Sequence, residues 1–131
     1  MGYDFVFARL TRLPDNFPGD LPDDFDNNIA NIGPLNAIAK LLVARRGFRP
    51  NGPNGEKEHN YWWDTPDGGS LDVLLTDDGI SVDTHAHWCF VLETYECIRE
   101  LHRDLVIIDP QTGTLHDTRS FEAFVHESYR E

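Results

Sequence analysis

Tyr3 to Leu10 is a short aromatic and β-branched run, so a strand there would set Phe5 and Phe7 on one face and Val6 on the other. The next apolar pattern has helical spacing. Leu35, Ile38, Ala39, Leu41 and Leu42 recur at threes and fours. They predict a helix capped at Asn31, with Pro34 in its first turn and Gly47 as its stop after Arg45 and Arg46. Arg49–Glu58 contains Pro50, Gly52, Pro53 and Gly55 and reads as a loop. Strands follow at Asn60–Asp64 and Leu71–Thr76, separated by turn residues over Thr65–Gly69. Asp78-Gly79 then signals a hairpin that returns through Ile80–His85. A second helix is predicted over Trp88–Arg103, turning Val91, Tyr95, Ile98 and either Leu101 or His102 inward. Leu105–Ile108 is an unbroken apolar run suited to the centre of a sheet, and Thr114–His116 continues as a short strand. Ser120 is the predicted cap of a last helix carrying Phe121, Phe124, Val125 and Tyr129. This order predicts an α+β fold: one domain over 1–131, an antiparallel or mixed sheet of five or six strands, and about three helices.

One segment follows neither period. Between Leu13 and Asn28 the chain counts in fours: Leu-Pro-Asp-Asn, Phe-Pro-Gly-Asp, Leu-Pro-Asp-Asp, Phe-Asp-Asn-Asn. Pro14, Pro18 and Pro22 each remove an amide donor, which excludes a continuous helix. The register predicts Leu13, Phe17, Leu21 and Phe25 pinned on the core. Asp15, Asp20, Asp23, Asp24 and Asp26 would then face water on a stiff backbone.

Charge sharpens that picture. The 131 residues carry 11 basic and 23 acidic side chains, a formal net charge of −12. Such a field repels phosphate backbones and anionic lipid, so neither nucleic acid nor a membrane surface is an expected partner; a basic protein is. At 40% hydrophobic and 11% aromatic, the chain is rich enough in large apolar groups to fold. No run reaches the roughly 18 apolar residues of a membrane span, and the N-terminus lacks the basic start and apolar block of a secretory signal. Cys89 and Cys97, eight apart on one predicted helix, are too far apart to bridge. Reduced thiols in a cytoplasmic protein are the expectation.

Candidate chemistry is sparse. Asp83, His85, His87 and Cys89 alternate and would share one face of a continued strand, with ligand types that suit zinc. Consecutive side chains on one strand face lie about 7 Å apart, however, which favours a strand end running into a helix cap. The stretch beginning at Asp24 resembles a calcium loop but has Ile29 and Leu35 where glycine and glutamate are required. No serine lies in a Gly-x-Ser-x-Gly elbow, and no glycine-rich phosphate cradle is present. His116-Asp117 near His126 is too loose to mark a site. In the triplet Tyr61-Trp62-Trp63, Tyr61 and Trp63 share a face, leaving Trp62 on the other as a candidate binding anchor.

The chain is a single acidic α+β domain without a signal or a catalytic motif. It also carries Asp104-Leu-Val-Ile-Ile-Asp-Pro-Gln-Thr-Gly, Leu115-His116-Asp117 and Ser120-Phe121-Glu-Ala-Phe124. In these respects it resembles the small acidic immunity proteins of bacterial polymorphic-toxin and contact-dependent inhibition systems. The resemblance implies a non-enzymatic protein, without cofactor or metal, that neutralises a cognate toxin domain by covering its active site or an adjacent surface. The residues expected to meet that partner are Asp20, Asp23, Asp24, Asp26 and Trp62. Two alternatives remain: a metal protein or small enzyme using Asp83, His85, His87 and Cys89, and an adaptor subunit of a larger assembly.

Overall fold

The strand numbered first along this sequence lies in the middle of the sheet. In the computed structural model, which describes residues 2–130, β1 (Tyr3–Leu10) is flanked by β7 (Gly79–Thr84) and β8 (Val106–Asp109). Outward from β7 run β6 (Ser70–Thr76), β5 (Asn60–Asp64) and β4 (Arg49–Pro50); outward from β8 run β9 (Thr114–His116) and β2 (Gly19–Asp20). A ninth strand, β3 (Ile29–Ala30), pairs with the end of β1. Every pairing is antiparallel. The α+β fold is as expected, but the sheet has nine strands rather than five or six. The three unforeseen ones, β2, β3 and β4, are two-residue pairings drawn from segments without alternation. Met1 and Glu131, the ends of the expected 1–131 domain, lie outside the described residues.

Four helices are present among the described residues: α1 (Leu35–Leu41), α2 (Gly55–Glu58), α3 (Cys89–Arg99) and α4 (Thr118–Ser128). The single-turn α2 falls inside the segment read as loop. α1 continues as a π-helical stretch, Leu42–Arg46, and stops at left-handed Gly47 (φ 77°) as expected. Two cap assignments change. Asn31 instead folds its side chain onto the Gly33 amide (2.7 Å), ahead of an N-cap at Pro34. Asp117, not Ser120, caps α4: its carboxylate accepts the Ser120 amide (2.8 Å) while the Ser120 hydroxyl accepts the Asp117 amide (3.1 Å). This reciprocal box needs an acceptor at each end, and Ser120 is its second half. α3 ends at Arg99, four residues early, so Leu101 is exposed and His102 turns to the Ile32 carbonyl.

The hairpin also slips by one residue. Thr76 faces Gly79, so Asp77 and Asp78 form the turn. Neither has positive φ, so the turn does not need the backbone freedom of glycine. Gly79 is required for space instead: a Cβ there would lie 3.0 Å from the Phe7 carbonyl oxygen.

Helices cover only one face of the sheet. Phe5, Phe7, Tyr61, Leu71, Val73, Ile80, Val82 and Ile107 point into a core completed by Ile38, Leu42, Val91, Tyr95, Ile98 and Phe121 from the helices. The opposite, outer face divides into two halves. On the β2–β9–β8–β1 side a second core forms from Ala8, Leu10, Val106, Ile108 and Leu115. The β7–β6–β5–β4 side has no covering layer among the described residues. Its Leu74 is 41% exposed.

Candidate functional site

The fourfold count of the proline-rich segment turns out to be an eightfold one. Leu-Pro-Asp-Asn-Phe and Leu-Pro-Asp-Asp-Phe each close a reverse turn, in which the Phe17 amide donates to the Pro14 carbonyl (3.0 Å) and the Phe25 amide to the Pro22 carbonyl (3.2 Å). Between them β2 pairs with β9, and the Leu21 amide donates to the Gly113 carbonyl (2.8 Å). These anchors turn Phe17, Leu21 and Phe25 onto the second core, as their register predicted. Leu13 does not follow them and is 42% exposed. A 3-10 turn, Phe25–Asn28, ends the segment before β3, so its last tetrad is helical after all, over one turn.

With the aromatic residues turned inward, Asp20, Asp23, Asp24 and Asp26 are exposed. No ion pair engages them among the described residues. Arg12 and Asp24 border the same shallow depression. Trp62 points to the same side of the sheet, but from the uncovered half. Its indole is half-buried beneath the Arg49 guanidinium, whose centre is 4.3 Å from the ring. Arg49 also reaches the Asp64 carboxylate at 3.6 Å. The two parts of the expected contact surface are therefore not contiguous. Trp62 stands three strands from β1, about 14 Å at ordinary strand spacing.

Three acidic residues that sequence reasoning did not assign to a partner surface fill the interval. Asp4 is opposite Asp83, Asp83 opposite Asp72, and Asp72 opposite Trp62. The even positions of β1 carry Asp4, Val6, Ala8 and Leu10 to the outer face, and the hairpin register brings Asp72 against Asp83. Placing the turn at Asp77-Asp78 would have revealed that second pairing from sequence alone. The neighbouring row is Val6, Ser81, Leu74 and Asn60, and a depression of about 430 Å³ lies between the rows.

The alternating Asp83-His85-His87-Cys89 group does not assemble. β7 ends at Thr84, whose hydroxyl accepts the Ala86 amide (3.1 Å), and the alternation stops there. Asp83 and His85 meet at 3.6 Å. His87 faces elsewhere: its Nδ1 accepts the Cys89 amide (3.0 Å) and its ring stacks on Tyr129. Among the described residues, no three His, Cys, Asp or Glu side chains converge as a metal would require. Both thiols are free, and burial pushes each above the ordinary cysteine range, away from the reactive thiolate.

The remaining titratable groups near the core have structural partners. Tyr3 donates to both oxygens of fully buried Asp109 (2.9 and 3.0 Å), which also accepts the Gln111 amide. Burial first, then the Asp109 carboxylate, raises the Tyr3 hydroxyl far above its usual range. His116 is buried beside Phe124 with Nδ1 at 2.9 Å from the Ser120 hydroxyl. Its Nε2 has no partner among the described residues, and burial holds its pKa below the usual histidine value despite Asp109 and Asp117. The Ser120 hydroxyl already belongs to the capping box of α4, so this contact reads as helix anchoring rather than as an activated nucleophile.

The molecule thus belongs to the class of α+β proteins built on an open antiparallel sheet with one helical layer and an acidic outer face. No protein-family model matches the chain, and no curated protein is detectably similar to it.

Proposed function

We propose that this chain is a non-enzymatic binding protein that captures a protein partner bearing a basic surface, in the manner of an immunity protein neutralising a cognate bacterial toxin domain. The observation that carries this reading is the acidic loop. A chain of net charge −12 turns Asp20, Asp23, Asp24 and Asp26 outward on a backbone pinned by two proline turns, a strand pairing and three apolar anchors. Carboxylates held in place in this way complement the Lys and Arg side chains with which a nuclease-type toxin grips phosphate. They accelerate encounter and lose little side-chain entropy on docking. Trp62 adds the aromatic surface on which retained affinity usually rests.

The test is kinetic. The partner is isolated by co-purification from the native host, with a neighbouring reading frame for a large toxin as the first place to look. Reversing the four loop aspartates to lysine should then slow association at least tenfold at low salt and flatten its dependence on ionic strength. An unchanged on-rate would refute the role of the loop. A partner whose contact surface is acidic would refute the whole reading.

A further inference from the structure

The uncovered half of the outer sheet face carries an arrangement that stability alone disfavours. Asp4, Asp83 and Asp72 are directly opposed across three neighbouring strands, and Trp62 and Arg49 complete the row. Directly opposed side chains have Cβ atoms about 5 Å apart, and like charges at that spacing repel. Their compensation is thin. Asp72 accepts from Asn60 (3.1 Å) and Asn51 (3.4 Å), Asp83 meets only His85, and Asp4 has no hydrogen bond or ion pair among the described residues.

Beside the carboxylates lies Leu74, apolar surface on the half that the loop does not reach, whereas Val6 already packs against the second core. A second observation concerns what fits. The chain seats its own Arg49 guanidinium on this face, over the Trp62 ring and within 3.6 Å of Asp64. The face therefore already shows its complement: a planar cation lying on an indole with a carboxylate at its edge.

We propose that this half-face is the principal docking surface, and that its occupant is an arginine- and lysine-bearing segment of the basic protein inferred above, a reading on which the proposal rests. Asp4, Asp83 and Asp72 take the cations of the segment, which removes the repulsion between them. Trp62 and Leu74 take its apolar parts. Charge argues against a second copy of the chain, because a face-to-face pair would set one acidic row against another.

The test uses the whole chain and a nona-arginine peptide as probe. Amide shifts are mapped by NMR, and affinity is measured at low salt for three proteins. These are the natural chain, a D4N/D72N/D83N variant, and a D20N/D23N/D24N/D26N variant. The expected result is a shift map centred on β5, β6 and β7. Affinity should fall about tenfold or more in the sheet variant and less than threefold in the loop variant. Thermal melting serves as the folding control, and the sheet variant should melt at or above the natural chain because like-charge repulsion is gone. If the loop variant carries the loss and the sheet variant does not, this assignment is overturned while the basic-partner reading survives. If the natural chain binds nona-arginine no better than nona-glutamate, both fail. Concentration-dependent shifts on the same strands without peptide would make the occupant a second copy and overturn the proposal.

Discussion

The two halves of the outer sheet face meet along one strand, β1, and are turned to opposite ends. Where β1 meets β8 and β3, its outward residues are Val6, Ala8 and Leu10, and the chain spends sixteen residues laying Phe17, Leu21 and Phe25 over them. Where β1 meets β7, the outward residue is Asp4, and the row continues through Asp83 and Asp72 to Trp62. A single strand changes from a covered surface to a charged one within about 7 Å, two residues of rise. The difference teaches that acidity alone does not locate a contact surface on this protein. The loop acids are the outer skin of a covering layer, whereas the sheet acids, Asp4 exposed and Asp72 and Asp83 half-buried, lie on a face that no layer covers among the described residues.

Three measurements would break or sharpen that contrast. The largest effect is expected on the covered side: Leu115→Ala empties a fully buried position and should cost about 3 kcal/mol in urea unfolding. Leu74→Ala on the open half should cost no more than about 0.5 kcal/mol. Equal losses would mean that the two halves are packed alike. The second effect concerns pH. Burial lowers the His116 pKa in the folded chain, so between the folded value and the ordinary one near 6.5 the unfolded chain binds the extra proton. Stability from this group is complete above that ordinary value and declines as pH falls below it. The slope can be no steeper than about 1.4 kcal/mol per pH unit, the limit for one proton. His116→Phe should remove this contribution between pH 7 and 5, and an unchanged profile would show that His116 is not its source. The smallest effect has the opposite sign. Asp83→Asn should stabilise by about 0.5 kcal/mol at low salt and by less at high salt. A loss instead would show that the Asp83–His85 pair outweighs the repulsion across the strands.

Much of this was legible in the residues themselves. The strand at Tyr3–Leu10, the three-and-four spacing after Leu35, and the split of Trp62 from Tyr61 and Trp63 follow from periods that packing enforces, and the structure bears them out. Local chemistry was less secure where two residues could do one job. Ser120 and Asp117 share a capping box, and reading the hydroxyl as the cap reverses their roles. Asp78-Gly79 has the composition of a hairpin turn, but Gly79 is needed where it crowds Phe7, so the turn moved to Asp77-Asp78 and changed every cross-strand partner. On the open half only the Asp72–Asp83 pairing was within reach of hairpin register; the rest needed topology. Asp4 and Asp83 become neighbours only because β1 inserts beside β7, and no local pattern encodes that choice.

The central position of β1 has a consequence for biosynthesis. Residues 3–10 leave the ribosome before either flanking strand, and one partner, Ile108 opposite Val6, is made about a hundred residues later. At ordinary elongation rates that interval lasts roughly 5–20 s. Until β7 emerges with the partners of Phe5 and Phe7, Val82 and Ile80, neither residue has a sheet to join, and long-range antiparallel closure is itself slow. The nascent chain therefore spends most of its synthesis with its central strand unpaired.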